Sequence, residues 1–312
     1  MKLLITGALG HIGSKLIQNI EPGLFEEVRL IDNMMTQRYC SLFNLPGRVK
    51  FKFYEGDVCR FDLDKYFKGV GVVVHLAAIT DAVSTFDKKE LMEEVNYRGT
   101  KNVAEACLRN KCRLIFPSTT SVYGSQSEAV DEGCTVEGLN PQSPYAESKL
   151  KAEQLLIKLG NESKLRFVIC RLGTIFGTSI GMRFHTAVNK FVWQACLGRP
   201  ISVWRTAMNQ RRPYLDLGDV IRSFLYIIDK KLFSREIYNI VTVNSTVAEI
   251  IEIIKKKIPD LKVKYVDCAI MNQLTYTVAN DKFKKTEFKF KGQMAKGIND
   301  TIKILSGANH LT

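Results

Sequence analysis

A short apolar run followed at once by three spaced glycines opens the chain: Leu3-Leu4-Ile5, then Thr6-Gly7-Ala8-Leu9-Gly10-His11-Ile12-Gly13. This order predicts a strand that turns tightly into a helix. The first glycine permits the turn, the second lets the backbone approach a pyrophosphate, and the third lets helix and strand pack closely. Gly7, Gly10, His11, Ile12 and Gly13 are therefore candidate contacts for a dinucleotide.

The first half of the chain continues in the same rhythm, with short apolar strands separated by amphipathic stretches. Val28–Ile31, Lys50–Tyr54, Val72–Leu76, Leu114–Phe116 and Phe167–Cys170 read as further strands, and helices are expected from Asn96 to Arg109 and from Pro144 to Leu159. Alternation of this kind is the pattern of a parallel sheet covered on both faces. After Arg171 it loosens into glycine-rich and aromatic segments, a helix from His185 to Leu197 and a strand Ile201–Trp204. The expected fold is α/β, a Rossmann-type doubly wound parallel sheet with a smaller C-terminal lobe. Residues 1–170 would form the dinucleotide-binding domain, also receiving about 215–240, and 171–312 mainly the substrate lobe. No repeat or low-complexity linker separates the two, which are expected to behave as one cooperative unit.

At 312 residues, 46% hydrophobic and 25% charged, the composition is that of a globular protein. No apolar run reaches membrane-spanning length, and Lys2 leads directly into the first strand, so no membrane insertion and a cytoplasmic location are expected. Eight cysteines (Cys40, Cys59, Cys107, Cys112, Cys134, Cys170, Cys196, Cys268) and four histidines (His11, His75, His185, His310) show no metal-ligand spacing. Reduced structural thiols and no metal site are expected. The formal charge of +13 collects partly in Lys255-Lys256-Lys257 and between Lys282 and Lys291. A solvated lysine-rich face accounts for it, because no nucleic-acid-binding module accompanies it.

Asp32, about twenty residues past the glycine turn and followed by Asn33, is placed to accept from the adenosine ribose hydroxyls. A carboxylate there repels a 2′-phosphate and favours NAD over NADP, a preference that nearby Arg38 would temper. Asp57 and Val58 offer a carboxylate and a backbone amide to adenine. Leu76, Ala77 and Ala78 end the fourth strand in small residues suited to a backbone pressed against ribose-phosphate, and His75 reads as a packed strand residue. Tyr145 and Lys149 lie one helical turn apart on the same face. A nearby cation favours a phenolate, which would make Tyr145 a usable general acid/base. Thr119, within Ser118-Thr119-Thr120-Ser121, supplies a hydroxyl ahead of the Tyr and Lys.

These motifs together resemble the extended short-chain dehydrogenase/reductase superfamily, in particular the NAD-dependent nucleotide-sugar epimerase/dehydratase family typified by UDP-galactose 4-epimerase. The resemblance runs through the glycine turn, Gly56-Asp57, His75 to Ala78, Asn96-Tyr97-Arg98-Gly99-Thr100, Val122-Tyr123-Gly124, Pro144-Tyr145 with Lys149, and Arg171-Leu172. It implies Thr119, Tyr145 and Lys149 as the catalytic set, with Lys149 also holding the cofactor ribose and Asn96 supporting the cofactor region. It further implies that Arg212 grips a substrate diphosphate, Asn189 contacts the nucleotide, Trp204 lines the base pocket, and Thr174 replaces an asparagine that holds the diphosphate. Thr80 stands in place of a lysine. The segment Gly181-Met182-Arg183-Phe184-His185 resembles a subgroup of surface-polysaccharide sugar enzymes.

The activity implied is epimerisation or oxidation of a nucleotide-diphosphate sugar by hydride transfer, at C4. Thr120-Ser121 occupy the place where the family's dehydratases carry acids, which disfavours elimination at C5–C6. A 4-dehydrogenase releasing a keto sugar, and a non-catalytic NAD-binding regulator or scaffold, are the alternatives. A homodimer is expected through the helices Asn96–Arg109 and Tyr145–Leu159, with Val103, Leu108, Leu155 and Leu156 as candidate contacts.

Overall fold

A computed structural model describes residues 1–80, 89–126, 128–267 and 275–308; Cys268 and His310 lie outside the described residues. Seven parallel strands form the main sheet: β1 (Lys2–Thr6), β2 (Glu27–Asp32), β3 (Phe51–Glu55), β4 (Val70–His75), β5 (Arg113–Thr119), β6 (Arg166–Leu172) and β7 (Ile237–Ile240). Their spatial order is β7-β6-β5-β4-β1-β2-β3. The chain leaves β1 toward β2 and β3, then crosses back to β4, so the order reverses between β1 and β4. A crevice at the carboxyl ends of these two strands is where ligands of such sheets bind.

Both faces of the sheet are covered, which is why its strands are nearly continuous in apolar residues. One face buries Leu3, Ile5, Val28 and Val74 against Leu16 and Ile17 of the helix His11–Gln18 and Phe224 and Ile227 of the helix Leu217–Asp229. Asp216 caps the second of these helices by accepting from Asp219 N–H at 3.1 Å. The opposite face buries Leu4, Val73 and Phe116 against Val103, Cys107, Ala152 and Leu156. Val103 and Leu156 therefore serve this core and cannot supply a dimer contact. On the same pair of helices the large apolar side chain left exposed is Ile157, with Leu91 just ahead of them.

The helix expected from Asn96 begins differently. Glu93–Arg98 forms a π-helical turn that passes into the α-helix Gly99–Arg109. The turn directs Asn96 inward. Its amide accepts from Ile79 N–H at 2.8 Å and donates to Ile79 O at 3.0 Å and Ser148 Oγ at 3.1 Å, tying the loop after β4 to the helix Pro144–Ser163.

The smaller lobe packs the helices Ala187–Cys196, Val247–Lys255 and Met294–Leu305 with the strand Ile201–Trp204 around Phe176, Val192, Ile250 and Ile298. Among the described residues no helix is long and apolar enough to cross a membrane, no group of acidic, His and Cys side chains is arranged to hold a metal, and the seven described cysteines are free.

Under the helix Pro144–Ser163 lies a buried ion pair. Glu153 and Arg171 are 1% and 3% exposed and approach to 2.7 Å, and the Arg171 guanidinium also lies over the Tyr123 ring at 4.8 Å. Removing one partner strands a charge in a dry site, which costs more than the pair itself contributes. Arg171→Met is expected to lower unfolding stability by roughly 3–5 kcal/mol in a denaturant titration. Arg171→Met/Glu153→Met should lose less.

Candidate active site

The crevice at the β1/β4 reversal is a cavity of about 390 Å³. Gly7, Gly10, His11, Ile12, Gly13, Asp32, Asn33, Asp57, Val58, Leu76, Ala77 and Ala78 line one end, and Thr119, Tyr145, Lys149 and Thr174 line the other. The glycine turn is built to bring backbone against ligand. Gly7 takes a left-handed φ of 62° and a Cβ there would collide with Ala77 N, while a Cβ on Gly13 would collide with Ala8 O. Both Asp32 oxygens are engaged, one accepting from Leu9 N–H at 3.0 Å and the other from Met34 N–H at 3.0 Å. The carboxylate thus braces the glycine turn while lining the cavity. Asp57 accepts from Cys59 N–H at 2.8 Å.

His75 is a packed residue, as its strand position suggested. Its ring nitrogens meet Thr6 Oγ1 at 2.7 Å and Thr100 Oγ1 at 3.1 Å, and burial pushes its pKa down to about 3.

Ser143 opens the helix that carries Tyr145 and Lys149, accepting from Ala146 N–H at 3.2 Å with Pro144 in the first turn. Lys149 is buried, donates to Pro117 O at 2.9 Å and lies 4.7 Å from the Phe116 ring centre. Burial pushes its pKa down to about 8, opposed by the negative charge of Glu153. Tyr145 departs from the expectation based on the neighbouring lysine. Burial pushes the phenol up to about 12, and the cation that pulls the other way is Arg183. Desolvation outweighs the attraction of any single protein cation here. Thr119 Oγ1 accepts from Ser121 N–H at 3.1 Å, which leaves the hydroxyl proton available to a ligand oxygen.

Arg183 was not nominated from sequence, nor were His185 and Arg38 as wall residues. All three line the cavity. Arg183 belongs to the smaller lobe and donates to Thr80 Oγ1, bringing a guanidinium to the position where the resemblance has a lysine. Only folding could reveal this, because 103 residues separate the two. His11 is held through Nδ1 by Ser179 Oγ at 2.8 Å, and Gly181 N–H donates to Ser14 Oγ at 3.0 Å, so a smaller-lobe segment straps the glycine turn. Burial and the charges of His185, Arg38, Arg183 and Lys15 push His11 down to about 3. His11 and Ser118 line the cavity, and His11 Nε2 and Ser118 Oγ are buried without a hydrogen-bond partner. A cradle of glycines and cations fits a polar, anionic ligand such as a dinucleotide.

Four nominated residues stand off the cavity wall. Asn96 supports the wall from behind through the bonds described above. Asn189 is 1% exposed and spends its amide on Gly177, accepting from N–H at 3.3 Å and donating to O at 3.4 Å. Trp204 ends a small-lobe strand paired with Val263–Val266. Arg212 donates to Gln210 Oε1 at 3.1 Å.

The profile of the NAD dependent epimerase/dehydratase family matches residues 3–241. The chain belongs to this family, an NAD-dependent enzyme family of the extended short-chain dehydrogenase/reductase type. Among its relatives, the Bacillus subtilis (strain 168) "uncharacterized UDP-glucose epimerase YtcB" is 28% identical over 77% of this chain and 76% of its own length. A Dictyostelium discoideum dTDP-D-glucose 4,6-dehydratase is 30% identical over 77% of this chain but only 58% of its own. The Bacillus cereus UDP-glucuronic acid 4-epimerase, solved with UDP-glucuronic acid and NAD, superposes with a TM-score of 0.89 at 26% identity over 99% of this chain and 100% of that one.

The buried Lys149 generates a pH-dependent expectation. Its folded pKa lies below its unfolded one, so well below pH 8 the penalty for a buried ammonium is fully present. As pH rises from about 8 to 10.5 the folded state releases the proton that the unfolded state still holds, and stability rises. Relative to Lys149→Met, the wild type should gain up to roughly 3 kcal/mol across this window in denaturant titrations.

Proposed function

We propose that this protein is a nucleotide-diphosphate-sugar 4-epimerase, with the smaller lobe receiving the nucleotide end of the substrate. The observation that carries the reading is the convergence of Thr119, Tyr145 and Lys149 on one wall of a cavity whose other end is the glycine turn. NAD, when bound, supplies the two-electron acceptor and donor for the sugar carbon. Tyr145 Oη takes the proton of the sugar hydroxyl as that carbon is oxidised and gives it back when the carbon is reduced. The Thr119 hydroxyl donates to the same oxygen and holds it in line. Lys149, fixed by Pro117 O, presents its remaining ammonium protons to the cavity, where they hold the cofactor ribose and favour the ionised phenol.

Epimerisation is favoured over dehydration by the placement of carboxylates. Among the described residues lining the cavity these are Asp32 and Asp57, both at the glycine-turn end. Thr120, in the position after Thr119, is turned away toward Leu172 O and Tyr276 Oη at 3.3 Å each. Elimination of water from the sugar needs an acid beside the reacting carbons, and none of the lining carboxylates is there. Relatives with UDP-sugars in their descriptions make UDP-sugars the first substrates to offer. The cytoplasmic setting, the homodimer and a role in polysaccharide synthesis belong to the same reading.

Incubation with UDP-glucose, UDP-N-acetylglucosamine, UDP-glucuronic acid and dTDP-glucose, followed by NMR, should yield a C4 epimer without loss of water. A 4-keto-6-deoxy product would overturn the reading in favour of a dehydratase, and a released keto sugar with stoichiometric NADH in favour of a dehydrogenase. Tyr145→Phe should lower turnover by at least ~100-fold while NAD binding persists. In fluorescence titrations NAD should bind more tightly than NADP, and Asp32→Ala should narrow the difference while weakening NAD binding, since the carboxylate also braces the glycine turn.

A further inference from the structure

The cavity accounts for only part of the net charge of +13, and topology gathers much of the remainder. In a parallel sheet every helix-to-strand turn returns to the same edge, opposite the carboxyl ends where the cavity lies. The turns into β4, β5, β6 and β7 carry Lys68, Lys111, Lys164, Lys231 and Arg235, and Arg166 begins β6. These six side chains are exposed, and none makes an ion pair among the described residues.

Four of them stand where a cation is an unfavourable choice. Lys111, Lys164, Lys231 and Arg235 have φ of 57°, 62°, 57° and 67°, a left-handed conformation that glycine or asparagine adopts with less strain. Carboxylates beside these turns and at the neighbouring turn into β2 have their own lysines, Glu236 with Lys282 at 2.6 Å, Asp229 with Lys230 at 3.2 Å, Glu162 with Lys158 at 4.0 Å and Glu26 with Lys2 at 3.9 Å. Met1 and Leu24, each 47% exposed, lie at the same edge, where Met1 O accepts from Glu26 N–H.

We propose that this edge of the sheet docks the protein on an anionic lipid surface, with the cavity facing away from it. Long flexible cations with no exposed ring between them, Phe233 being buried, suit a headgroup layer, and the exposed apolar side chains of Met1 and Leu24 suit its boundary with the acyl chains. A nucleic-acid surface would instead present a groove or stacking rings among its cations.

The full chain should co-sediment with phosphatidylcholine vesicles containing about one third phosphatidylglycerol at least ~10-fold more strongly than with phosphatidylcholine alone, and roughly 0.5 M NaCl should abolish the difference. Lys111→Gly/Lys164→Gly/Lys231→Gly/Arg235→Gly should lose that binding while its melting temperature holds or rises, because glycine relieves the left-handed turns. A role confined to folding would not separate the two readouts in this way. Lys164→Glu/Arg166→Glu, which alters two exposed side chains only, should also lose binding and serves if the glycine variant fails to fold. Equal binding to both vesicle types, wild-type binding by folded variants, or binding to a mixed-sequence duplex oligonucleotide but not to anionic vesicles would each overturn the proposal.

Discussion

The close approach of the glycine turn to the end of β4 is the constraint on which the rest depends. With no side chain at Gly7, the turn packs its backbone directly on Ala77, and with none at Gly13 the following helix packs on Ala8. The crevice between β1 and β4 is consequently walled by backbone amides and small residues. Further contacts lock this arrangement. Asp32 bonds the turn from one side, Ser41 Oγ donates to Leu9 O at 2.8 Å, and Gly181 is pressed so closely onto Leu9 O and Gly10 O that a Cβ would collide with both. A loop from the smaller lobe is in this way as much a part of the dinucleotide cradle as the strand that begins it.

Burial then sets the chemistry of the opposite wall. Tyr145, Lys149 and Glu153 follow one another at successive turns of a single helix, and Glu153 is tied to Arg171 beneath it. The Tyr145 phenol is raised and the Lys149 ammonium lowered, each toward its neutral form, because the site is dry. Burial thus opposes formation of the Tyr145 phenolate. Cationic charge brought by a ligand, added to that of Arg183 and Lys149, acts in the opposite direction. Without a ligand, burial therefore favours the neutral form of the Tyr145 phenol.

Much of this was legible in the chain itself. The glycine spacing, the strand-helix alternation, Asp32 at the end of β2 and the Tyr145–Lys149 pair are local patterns, set by turn sterics, strand periodicity and helical pitch, and all of them face the cavity as expected. The smaller lobe was less legible. Asn189, Trp204 and Arg212 were nominated by position, yet each stands off the cavity wall, Asn189 because its amide is consumed by the backbone of Gly177.

Sequence alone determined the parallel sheet, its dinucleotide turn and the placing of Tyr145 and Lys149 on one helical face, since these depend on residues within a few positions of one another. Tertiary structure decided what surrounds Tyr145. Arg183 reaches Thr80 and the field of Tyr145 from another lobe, Asn96 is turned inward by a π-helical turn, and Val103 and Leu156 are claimed by the core and not by a partner. Charge and burial act through space between segments far apart in the chain, and no local pattern records which segments will meet.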